Sequence, residues 1–177
     1  MRSLLGSLLL PAVVGSASLA IVAATPSSSA RLAGPPWISI EYPANPLDPS
    51  TRGAYLLVHA FHHQIPISSP VRGTAEGVVN GERKSITLHF DTTSRPSVYA
   101  LRKQWSDNGV WSPVISVAPH EDNIAQALIE LSPDGGISSV RVPTRREREW
   151  TIPRLITAQE IEQSLQSRTP RTAQARR

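Results

Sequence analysis

The sequence predicts an all-β fold, an antiparallel immunoglobulin-like sandwich of about seven or eight strands with one short C-terminal helix. Three observations carry this. Short β-branched and aromatic runs recur between turn signals, and no helix-period segment separates them until the chain nears its end. Sixteen prolines and ten glycines interrupt the chain often. Asn80-Gly81 stands between two extended runs, the strongest local signal for a two-residue hairpin turn. At 177 residues and 40% hydrophobic content, the chain has room for one domain with a genuine core.

The first strand is expected from Trp37 to Tyr42, followed by a loop carrying Pro43, Pro46 and Pro49. Proline cannot donate to a sheet ladder, so this strand belongs at an edge. "AYLLVHAFHH" is apolar on both faces, which suits a central strand covered on both sides. In "VRGTAEGVVNGERKSITLHF", pairing outward from Asn80-Gly81 sets Val79 opposite Glu82, Ala75 opposite Ile86, Gly73 opposite Leu88 and Val71 opposite Phe90. Small residues then face large ones on the core side, while Thr74 with Thr87, Glu76 with Ser85 and Arg72 with His89 fall on the other face. "SRPSVYALRKQW" and "GVWSPVISVA" are expected to pair around "SDNG", and "NIAQALIEL" with "ISSVRVPT" around "SPDGG".

Past Pro153 the pattern changes. Thr157 is suited to cap a helix, Glu160 completes a capping box, and Ile156 and Ile161 occupy the positions of a hydrophobic staple. Ile161 and Leu165 share a face that would dock on the sandwich or on a partner. The remaining "RTPRTAQARR" is polar and basic and is expected to be disordered.

At the other end, Arg2 and an apolar stretch from Leu4 to Ala24 followed by "TPSSSA" have the outline of a secretory leader. Residues 1–30 are therefore expected to be a signal peptide cleaved after Ala24 or Ala30, the alternative being an uncleaved anchor, since the apolar stretch is about long enough to span a membrane, with the sandwich over 31–153 and the helix and tail over 154–177. No apolar run after residue 30 approaches a membrane span, so no stable span remains once the leader is removed. A periplasmic or secreted location follows from the leader. The chain has no cysteine, which excludes disulfides, thiolate metal sites and lipid attachment through sulfur. Residues 31–140 carry 8 Lys+Arg against 10 Asp+Glu, whereas residues 141–177 carry 9 against 4. Basicity is a property of the tail, not of the domain.

Three of the five histidines, His59, His62 and His63, crowd into "VHAFHHQIP" and are the candidate metal ligands. On a strand, His59 and His63 share one face and His62 takes the other, and residues four apart are separated by roughly 13 Å at about 3.3 Å per residue. A regular strand is thus a poor chelate for an ion that holds imidazole nitrogen at about 2.0–2.1 Å. A metal site needs His62 and His63 in a loop, turned toward each other or toward His120.

Asp91 with Ser94, and His120 with Glu121 and Asp122, have the residue types of acid-base or nucleophilic chemistry without an arrangement that performs it. No enzyme and no cofactor is expected. The remaining chemistry lies in "RVPTRREREW" and the helix after it. Trp150, Ile161 and Leu165, with Arg145 and Arg146, form the candidate partner-binding set. These residues imply a binding or structural role with an envelope protein or a polyanionic envelope surface as partner, and not nucleic acid, because a lone tryptophan offers no base-stacking platform. The rival reading is a small periplasmic metal-binding protein using the histidine cluster.

"SVYALRKQWSDNGVWSPVISV" resembles the closing half of the YtkA-like and FixH-like periplasmic domains, small immunoglobulin-like sandwiches with a Gly-x-Tyr strand followed by a Gly-x-Trp strand. Tyr99, Gly109, Trp111 and Val117 fit that spacing, within a match over residues 71–118. The resemblance implies an exported sandwich in which the tyrosine and tryptophan are core pegs of two neighbouring strands, with Gly109 in the hairpin between them. Ser97 and Val98 stand where the family usually has Pro-Gly, and methionine ligation of copper does not carry over because Met1 is the only methionine.

Overall fold

The computed structural model describes residues 34–169. The expected leader with its cleavage points after Ala24 or Ala30, and the part of the expected basic tail from Pro170 onward, lie outside the described residues, while Arg168 and Thr169 of that tail are ordered at the end of a helix. Two antiparallel sheets form the domain. The first contains β1 (Trp37–Glu41), β2 (Leu56–His62), β3 (Ile65–Pro66), β6 (Phe90–Thr92) and β7 (Val98–Leu101), in the order β1-β2-β7-β6 with β3 paired to β2. The second contains β4 (Val71–Val79), β5 (Glu82–Thr87), β8 (Val110–His120), β9 (Asn123–Leu131) and β10 (Ile137–Arg141), in the order β10-β9-β8-β4-β5. Lettered along the chain, these are strands A-B-E-D facing C′-C-F-G, with β10 added outside G. This is the immunoglobulin arrangement.

Period-two alternation places Leu56, Val58 and Leu101 of the first sheet against Trp111, Ile115, Val117, Ala127 and Ile129 of the second, all buried in one cluster. Each fully buried aliphatic side chain contributes about 1.5–3 kcal/mol relative to exposure. The outer faces are covered too. Leu57, Val98 and Ala100 pack with Ala44 and Ala54 of the proline-rich segment, which is why β2 reads as apolar on both faces. Across the molecule, α1 (Ala158–Arg168) packs on β8 and β4.

The hairpin register from the sequence holds from Val79↔Glu82 to Thr74↔Thr87. Gly73 still accepts from the Leu88 N–H at 2.9 Å. Beyond that the expected pairs Arg72 with His89 and Val71 with Phe90 do not form, because the chain changes sheets and Phe90 pairs with Leu101. Gln104 clamps this corner: its Oε1 accepts from the His89 N–H at 3.0 Å and its Nε2 donates to the His89 carbonyl at 2.8 Å.

The pairing expected around "SDNG" is also corrected. β7 lies between β2 and β6 in the first sheet, and β8 lies between β4 and β9 in the second. Residues 102–109 therefore cross the sandwich, with Trp105 buried beneath the crossing, and Tyr99 and Trp111 stand in opposing sheets. The strand count rises to 12 among the described residues because β3, β6 and a separate hairpin, β11 (Thr144–Glu147) with β12 (Trp150–Pro153), are added. Among the described residues no helix is long and apolar enough to cross a membrane.

Candidate functional site

β2 runs through His62, and His63 and Gln64 then form a two-residue turn into β3 with φ of 48° and 65°. His59 projects from the outer face of the first sheet. Its Nε2 lies 2.9 Å from Glu41 Oε2, an oxygen to which Arg95 also donates at 3.2 Å, and Arg95 reaches Asp48 at 3.6 Å. The His59 ring stacks on Phe61. His62 faces inward at 5% exposure, and its ring meets that of His63 edge to face with centroids 4.2 Å apart. Strand alternation thus sends His59 and His62 to opposite sides of the sheet. No three His, Asp or Glu side chains among the described residues converge on a point that would hold a metal ion.

The β11–β12 hairpin stands outside both sheets. Its cross-strand pairs are Arg145↔Ile152, Arg146↔Thr151 and Glu147↔Trp150, and Arg148 turns the tip at φ 55°. Arg145 pairs along its own strand with Glu147 at 3.1 Å. Trp150 is 72% exposed, the most exposed aromatic side chain among the described residues. An indole left in water at the tip of a basic hairpin adds nothing to the core, and tryptophan and arginine are the residues that dominate binding surfaces. Beneath the hairpin a cleft of about 410 Å³ is bounded by Arg145, Glu147 and Ile152 on one side and by Glu121 and Asp122 of the β8–β9 turn on the other.

The helix is a different case. Thr157 caps it, accepting from the Glu160 N–H at 3.2 Å while Glu160 accepts from the Thr157 N–H at 2.9 Å. Arg154 donates to both Glu160 oxygens at 2.8 and 2.9 Å, and these bonds chiefly hold the Glu160 carboxyl down at about 2. Gln126 fixes the entry, accepting from the Ile156 N–H at 2.8 Å and donating to Ser116 Oγ at 3.0 Å. Leu165 is fully buried on the second sheet, and Ser164 meets the buried Ser112 with hydroxyls 3.0 Å apart.

Leu165 is therefore part of the fold's packing and not a free partner contact, and Ile161 is half-buried beside it. Arg168 closes the helix. Its guanidinium donates to the carbonyls of Trp111 at 2.9 Å, Leu131 at 3.2 Å and Ser164 at 2.9 Å, and to the hydroxyls of Ser112 and Ser164. Burial lowers its pKa. The sequence reading put Arg168 at the start of the disordered tail, whereas it is the last residue of the helix with Thr169 as its C-cap, and it passed over Ser112 and Ser164, whose available signal was a serine among the apolar residues of a strand. Of the expected partner set, Trp150, Arg145 and Arg146 remain at the surface together. Comparison with family models, with curated proteins and with solved structures finds no match to the chain.

Proposed function

We propose that the protein is an exported, non-catalytic binding or structural module of the cell envelope that meets its partner through the β11–β12 hairpin. The observation that carries this reading is Trp150, 72% exposed on a hairpin that belongs to neither sheet of the sandwich. Arg145, paired with Glu147 on the Trp150 face, and Arg146 on the other face of the hairpin are the cations it offers to an envelope protein or a polyanionic envelope surface. The leader-like N-terminal sequence supports export, to the periplasm or beyond the cell. The sequence resemblance of residues 71–118 to YtkA-like and FixH-like periplasmic domains, a family that no model match carries, is in keeping with the same compartment. The metal-binding reading has less support: His62 and His63 meet edge to face, but His59 lies on the other face of the sheet and no third ligand joins the pair among the described residues.

The experiment is co-sedimentation of the full chain with an isolated envelope fraction. Trp150→Ala and the double variant Arg145→Ala with Arg146→Ala are expected to lose retention while unfolding at the wild-type midpoint. Retention equal to wild type in both variants overturns the proposal.

A further inference from the structure

At the end of the sandwich where the crossing segment 102–109 meets the β9–β10 turn, a cleft of about 600 Å³ opens. That volume falls within the range of small-molecule sites, about 300–1,000 Å³. Trp105, Trp111, Val110 and Leu131 make its apolar lining. Both tryptophans are held firmly: Trp105 meets Tyr55 edge to face at 5.2 Å, and the Tyr55 hydroxyl is anchored on the Gly135 carbonyl at 2.7 Å.

The charges at the rim are already engaged within the protein. Lys103 pairs with Asp107, and Asp134 accepts from the Ser132 hydroxyl and the Gly136 N–H. Every N–H of Arg168 has a partner. An anionic ligand would face Asp107 and Asp134 with no uncommitted cation, and a cationic ligand would compete with Lys103 and Arg168. A neutral ligand meets neither penalty.

The two indole N–H groups differ. That of Trp111 donates to the Asn108 carbonyl at 3.1 Å. No hydrogen bond among the described residues takes up the indole N–H of Trp105, although the side chain is only 6% exposed. Among the described residues the side-chain polar atoms sealed without a hydrogen bond are Ser69 Oγ and Arg95 Nε, the latter 3.6 Å from Asp48 Oδ2. The Trp105 nitrogen is not among them, so it is not sealed off, and the Trp105 side chain lines the cleft. An indole N–H that no protein acceptor takes up can exchange a water for an acceptor on a ligand.

We infer that this cleft is a binding site for an uncharged, flat aromatic molecule bearing one hydrogen-bond acceptor, which packs on the apolar lining and accepts from Trp105 Nε1. This is separate from the hairpin reading and survives if that reading fails.

The test is titration of the ¹⁵N-labelled full chain with benzamide, benzoate, benzamidine and toluene, following the tryptophan indole resonances. These probes share one ring and differ in charge and in the acceptor. Benzamide is expected to shift the Trp105 indole resonance saturably, while benzoate and benzamidine bind more weakly and toluene leaves the N–H shift small. Trp105→Phe, which keeps a flat ring and removes the donor, is expected to weaken benzamide about five- to tenfold. No saturable shift in the wild type overturns the site without relying on any variant. Equal binding of all four probes, or unchanged benzamide binding in a folded Trp105→Phe protein, overturns the assigned ligand class.

Discussion

Arg168, in the last turn of the C-terminal helix, donates to the carbonyl oxygen of Trp111 on β8 at 2.9 Å. Its other bonds span the helix and two strands, so the side chain ties together elements that local sequence does not. A planar guanidinium serves several acceptors at once in a way that a lysine ammonium does not.

Arg168→Ala is expected to lower stability by about 1.5–3 kcal/mol, because buried acceptors lose a charged donor. Leu165→Ala removes a fully buried side chain at a cost of about 2–5 kcal/mol. Arg168→Lys recovers only part of the loss. Urea unfolding of the full chain measures all three. A helix that merely lies on the surface predicts effects within about 0.5 kcal/mol.

Glu160 gives the helix a defined response to acid. Its folded pKa, about 2, lies below the ordinary 4.5, so the unfolded chain takes up its proton first as pH falls. The stabilisation is complete above about pH 4.5 and is lost as pH falls toward 2. Glu160→Gln is expected to be less stable at neutral pH and to show a flatter acid limb in thermal unfolding. Matching acid limbs would remove Glu160 from the account.

Gly77 lies directly opposite Trp111 in the β4–β8 ladder, and a Cβ there would sit inside contact distance of the indole ring. Gly77→Ala therefore forces the tryptophan to move, at a cost of about 1–3 kcal/mol. The near-ultraviolet circular dichroism of the indole is expected to change with it. Wild-type stability and spectrum in the variant would contradict this packing.

What was legible in the sequence follows from how local the signals are. Asn80-Gly81 sets its own hairpin register, with positive φ at both residues, and Thr157 with Glu160 caps the helix from four adjacent positions. The switch of Phe90 into the first sheet and the crossing before Gly109 depend on Gln104 and Trp105 meeting distant partners. "SDNG" carries turn residues, and these suit a crossing loop as well as a hairpin. His63-Gln64 lacks the usual glycine or asparagine of such a turn, so β3 gave no signal. The exposure of Trp150 was readable from the charges around it. The anchoring of Leu165 was not, because one apolar helix face suits a sheet or a partner equally well.

The histidines supply a separate check. Near-stoichiometric zinc is expected to leave the unfolding midpoint of the full chain unchanged, since His59 and His62 project from opposite faces. A native-state ligand raises stability by about 2.7 kcal/mol at a hundredfold excess over its dissociation constant. A shift of that kind, lost when His62 and His63 are both replaced by alanine, would restore the metal reading.

Hydrogen–deuterium exchange of the full chain with and without the envelope fraction separates a contact made by the hairpin from one made by the helix. With the hairpin as the proposed contact, residues 144–153 gain protection and residues 158–168 gain none. Protection confined to the helix, with the hairpin unchanged, overturns the proposed contact.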